Sequence, residues 1–161
     1  MKPPIAFVLL LVSCASCFAG RCDDLMRLCD LSEAYFRAEA RVVSSSDKSL
    51  DEYAHLVLAM RIHALTTQRA RLAALEKHEA EKIVVNVGGR CGFTVGKDPF
   101  PYPLGAEDVA LRDYVARHDG VMRKYDELVE AEDARILKEP GVDRKEWHAI
   151  LKRYVPNLDE D

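Results

Sequence analysis

The sequence predicts a mainly α fold: a helical bundle or elongated antiparallel helical hairpin, with a small β-hairpin inserted near residues 83–95. Three observations carry that reading. Long stretches on either side of the insert are almost free of Gly and Pro and repeat apolar residues every three or four positions, as amphipathic helices do. Between them, residues 83–87 and 90–95 are β-rich runs flanking Gly88 and Gly89, a pair that supplies the positive φ angles of a two-residue turn. Short breaks, Ser44-Ser45-Ser46-Asp47 and Glu139-Pro140-Gly141, separate the helices.

The chain opens on Lys2, an apolar run at residues 5–12 and small residues ending at Ala19, the pattern of a secretory signal peptide over residues 1–19. That run is far shorter than the roughly 20 apolar residues a spanning helix needs. The rest, residues 20–161, has room for one helical domain, and its 48% apolar and 31% charged composition is that of a folded protein. Leu11-Val12-Ser13-Cys14 resembles the lipobox of bacterial lipoproteins. That resemblance implies an alternative leader, residues 1–13, with an acylated Cys14 and membrane attachment through lipid alone. Both leaders imply an exported protein: periplasmic, envelope-associated or extracellular.

Export into an oxidising compartment makes Cys22, Cys29 and Cys91 disulfide candidates. Cys22 and Cys29 are two helical turns apart, roughly 10 Å, which exceeds the reach of about 7 Å between bridged Cα atoms. The expectation is that one of them pairs with Cys91.

In chain order, residues 23–43 place Leu25, Leu28, Tyr35 and Phe36 on one helical face, after an acidic start that suits the positive end of the helix dipole. Ser49-Leu50-Asp51-Glu52 has the form of a capping box and opens a helix expected to reach about Ala80. Its stripe, Leu58, Ile62, Leu65, Leu72 and Leu75, is interrupted at Gln68 and Arg69, and its length makes it the expected spine. After the hairpin, Pro99, Pro101 and Pro103 alternate with Phe100 and Tyr102, an extended segment whose aromatics are candidate contact residues. A second long helix is expected from Gly105 to Glu139 along a 3.5-residue seam: Leu111, Val115, His118, Met122, Tyr125, Val129, Glu132 and Ile136. Asp143 caps a last helix with Trp147, Ile150, Leu151 and Tyr154 on one face.

The charge of −4 is unevenly placed, with 10 basic and 15 acidic residues in 104–161 against 10 and 11 in 21–82. Neither arm carries a basic stripe, so nucleic-acid binding is not expected. His55 and His63 lack the i, i+3 or i+4 spacing of a helical metal pair, and no metal or other cofactor is implied. Gly92 to Lys97 has one residue too few for a phosphate loop, and Asp98 stands where Ser or Thr would hold magnesium. No Gly-x-Ser-x-Gly elbow occurs. The function expected is non-enzymatic: an envelope-associated or secreted interaction module, binding a protein partner or a second copy. The alternative is a small-ligand or metal carrier, or a hydrolase, with a site between the helices near His118 and Glu132, the two polar residues of the second seam.

Overall fold

The computed structural model describes residues 6–75, 83–96 and 105–158, with side chains from Gly20 onward. It is a mainly α-helical bundle with a two-stranded antiparallel hairpin. The helices are α1 (Ala6–Ser46), α2 (Asp51–Ala74), α3 (Ala106–Arg117), α4 (Val121–Ala131), α5 (Asp133–Ile136) and α6 (Arg144–Leu151). The strands are β1 (Val85–Gly88) and β2 (Gly92–Val95).

The spine is α1 rather than α2. It buries Leu25, Leu28, Cys29, Leu31, Ser32, Tyr35, Phe36, Ala38, Glu39, Ala40, Val42 and Val43, which is most of its circumference. Partners explain this: α2 packs along one flank while α4, α5 and α6 pack on others. Helix α2 buries a single stripe, Tyr53, Ala54, Val57, Leu65, Gln68 and Leu72. Its stretch beyond Leu75 lies outside the described residues.

The α1–α2 corner is held by Asp47, not by the expected Ser49 cap. Asp47 accepts hydrogen bonds from the Ser49 amide at 2.9 Å and the Ser49 hydroxyl at 2.6 Å, which winds residues 48–50 into a 3-10 turn feeding α2. A carboxylate two residues upstream competes for the same amide and reaches it first.

The hairpin forms where expected, but one residue out of step. Val85 pairs with Val95, Val87 with Phe93 and Gly88 with Gly92, so the loop is the three residues Gly89-Arg90-Cys91. Two glycines permit it. Gly89 takes φ +65°, and a Cβ on Gly92 would collide with the Gly88 carbonyl oxygen.

The expected second long helix is three pieces. Gly120, at φ 72°, ends α3 and redirects the chain into α4, and a further irregularity at Glu132 separates α4 from α5. These breaks let the arm wrap: α3 lies on α2, with Tyr114 against Tyr53, and the later helices turn back onto α1. Asp143 caps α6 through the Glu146 amide at 2.8 Å, as expected.

The expected disulfide is absent. Cys22, Cys29 and Cys91 are free thiols, not within bonding distance of one another. Cys29 and Cys91 are both buried, but in different surroundings: Cys29 next to Arg69 of α2, Cys91 next to Arg144 and Asp133. Burial pushes the Cys29 thiol up to about 11 and the Cys91 thiol up to about 12. Hydrophobic packing and hydrogen bonds, rather than a covalent bridge, fix the hairpin to the helices.

Candidate functional site

The polar residues that structure this molecule converge where the hairpin meets α1 and α2. Ser32 of α1 donates to the Cys91 carbonyl at 2.6 Å and accepts from the Trp147 indole at 3.0 Å, joining α1, the hairpin loop and α6 through one hydroxyl. One step along, Gln68 of α2 donates its Nε2 to the Phe93 carbonyl at 2.6 Å. The Phe93 carbonyl lies on the outer side of β2, and the Cys91 carbonyl in the loop just before it. The Gly96 amide bonds the Val84 carbonyl, so strand alternation turns Val85 and Val87 of β1, and Phe93 of β2, away from the ladder.

Beneath the hairpin sits Glu39, 2% exposed. Arg61 of α2 donates to its carboxylate, and so does the hydroxyl of Tyr125 from α4. The Arg61 guanidinium also lies 4.5 Å over the Phe36 ring. Burial lowers the Arg61 guanidinium, but Glu39 outweighs that and holds it above its ordinary value. Burial first, then the Glu39 charge, pushes the Tyr125 phenol well up, and the same two causes raise Tyr35 to about 12. The trio ties α1, α2 and α4 together, pairing the buried Glu39 carboxylate with a half-buried guanidinium.

Above this network, α2 and the hairpin enclose a cleft of about 460 Å³. Phe36, Met60, Leu65, Val87 and Phe93 supply apolar wall, and Arg61, Gln68 and Arg90 supply polar groups. Arg90 pairs with Asp133 at 2.8 Å. A second groove of about 670 Å³ runs between α1 and α2 past Arg37, Arg41, Ser45, His55 and Pro140. Its arginines are already engaged, Arg37 with Glu33 at 2.7 Å and Arg41 with Glu139 at 3.1 Å.

The residues singled out from sequence fall elsewhere. His118 follows the end of α3, exposed, its ring stacked 3.9 Å from that of Tyr114 and its Nδ1 2.9 Å from the Tyr114 carbonyl. Glu132 follows the end of α4 and pairs with Arg135 at 3.6 Å. The whole of α4 separates the two, about 16 Å of helix, so they do not share a site. Among the described residues, no group of three His, Cys, Asp or Glu side chains is placed to hold a metal ion. Phe100, Tyr102 and the side chain of Cys14 lie outside the described residues.

Glu39, Arg61, Tyr125, Ser32 and Trp147 carry the polar core, and sequence reasoning did not group them. The available signals were Glu39 inside the apolar run of residues 38–43 and Gln68 inside the α2 stripe. A polar residue on a buried stripe needs a partner, and both have one. Among the described residues, no helix is long and apolar enough to cross a membrane. No protein-family model, curated protein or solved structure matches this chain.

Proposed function

We propose that the protein is an exported, non-enzymatic interaction module that binds an extended segment of a protein partner along the outer edge of β1. One observation carries the reading: the two edges of the hairpin differ. The β2 edge is docked through Phe93 and Cys91 onto Gln68 and Ser32. On the β1 edge, the outward amides and carbonyls of Val85 and Val87 meet no partner among the described residues, and Val84 and Val87 are 44% and 36% exposed. Unpaired edges recruit strands through their main-chain groups.

Export rests on the apolar leader of residues 1–19. Intact mass of the mature product tests this, by reporting either a start at Gly20 or an acylated Cys14.

The edge is tested by photocrosslinking from position 84 in cells, with and without Val87→Pro. Proline removes an outward amide and leaves the ladder bonds intact. The adduct is expected to disappear in the proline variant; an adduct that survives it overturns the edge reading. An adduct of twice the chain mass identifies a second copy as the partner.

A further inference from the structure

The cleft between α2 and the hairpin has a property that packing alone leaves unexplained. Gln68 is 2% exposed and donates through Nε2 to Phe93, yet its Oε1 is buried with no hydrogen-bond partner among the described residues. Leaving a buried acceptor unpaired is costly, and native proteins rarely do so without a reason. Gln68 also lines the cleft. Oε1 itself is closed to solvent, so a ligand donor would satisfy it by turning the amide toward the cleft.

The rest of the cleft defines what such a ligand must be. Its volume of about 460 Å³ falls within the range of small-molecule sites, roughly 300–1,000 Å³. Two guanidinium groups, Arg61 and Arg90, line it, and no carboxylate does. Their carboxylate partners, Glu39 and Asp133, lie outside the lining. A guanidinium carries five N–H donors in a planar fork. Among the described residues, Arg61 gives one of them, on Nη1, to Glu39, so the fork retains capacity for an anion. Phe36, Met60, Leu65 and Val87 then face the remainder of the ligand with apolar surface.

We propose that this cleft binds a small carboxylic acid with an apolar body and one N–H or O–H donor, the carboxylate on Arg61 and Arg90 and the donor on Gln68 Oε1. This goes beyond the strand-edge reading, because it uses side chains of the cleft and not the outward backbone of β1.

The test is a titration of the full mature chain, followed by amide chemical shifts, with indole-3-acetate and N-acetyl-leucine as probes. Saturable binding is expected, with shifts centred on Gly88, Gly89 and Phe93. The N-methyl derivative of indole-3-acetate, which lacks the donor, should bind about tenfold more weakly. Indole-3-acetamide, which lacks the charge, should bind weaker by on the order of tenfold or more. Arg90→Gln, at a side chain 36% exposed, should weaken the parent acid about tenfold while the amide spectrum stays folded. The proposal is overturned if neither probe saturates at millimolar concentration. It is also overturned if the two derivatives bind as well as the parent, or if the shifts lie away from the cleft. Should Arg90→Gln fail to fold, the series of derivatives decides on the native chain.

Discussion

The two arms of this molecule have the same kind of sequence and different shapes. The first arm, α1 and α2, is two long helices joined at one corner; the second, with an apolar seam just as regular, has that seam cut into α3, α4 and α5 before the separate α6. The seam is satisfied in part: Tyr125, Val129 and Ile136 are buried, but Met122 is 51% exposed and His118 is at the surface. Periodicity specifies which residues want a partner surface. It does not specify that one straight surface exists to receive them all. Because α1 is covered on several sides, the second arm reaches its partners by bending around α1 and α2, and Gly120 is where it bends.

The sharpest way to break that comparison is to remove what joins the arms. Glu39→Ala deletes the acceptor shared by Arg61 of α2 and Tyr125 of α4, leaving a half-buried cation without its counter-charge. Breaking a fully buried pair costs about 3–5 kcal/mol, and with Arg61 28% exposed the lower end, about 3 kcal/mol, is expected. Urea unfolding should show a loss of that order. A loss below about 1 kcal/mol would mean that the trio is solvated and does not join the arms. Trp147→Phe is the milder version at the other end of the second arm. It removes the indole donor to Ser32 and part of a buried ring system, at an expected cost of about 1–3 kcal/mol in the same assay. The hairpin amides should lose exchange protection as well, because Ser32 also holds the Cys91 carbonyl.

How much of this was legible depends on what each signal measures. Helices, their faces and the hairpin follow from local pattern, since apolar spacing and turn chemistry act over a few residues. The Asp143 cap of α6 was readable for the same reason. The polar core was not, because Glu39, Arg61 and Tyr125 are 22 and 86 positions apart and only the tertiary fold makes them neighbours. Gln68 was half legible: it showed as a flaw in the α2 stripe, and the flaw is the hydrogen bond that seats β2. The disulfide expectation failed for a related reason. Export and cysteine count describe a compartment, whereas bridging needs two thiols facing each other, and Cys29 and Cys91 do not.

Gly120→Ala sharpens the comparison at the bend itself. Its φ of +72° lies in the left-handed region, and a Cβ there meets no atom within 4 Å, so the cost is conformational rather than steric. Holding Ala in that region costs about 1–2 kcal/mol. A drop of that size is expected with helix content by circular dichroism unchanged. A gain in helix content would show that α3 and α4 fuse when the glycine is removed, and that the bend is a local choice rather than one imposed by packing.

The smallest effect expected is also the one with a defined pH window. Asp47 sits at the α1–α2 corner and pairs with Lys124 of α4 at 2.7 Å, a further link between the arms. The hydrogen bond from Lys124, then those from Ser49, hold its carboxyl down to about 2, from an ordinary 3.8. The folded state therefore releases this proton more readily than the unfolded chain. Its contribution is complete above the unfolded value and fades as pH falls through about 4 toward 2. Asp47 is well solvated, so the effect on stability should be slight beside that of Glu39, and ¹³C titration of its carboxyl is the measurement that resolves it. A midpoint near 2 confirms a corner clamped to α4. A midpoint near 4 would mean that Lys124 does not hold it, leaving Glu39 to join α4 to the first arm without help from the corner.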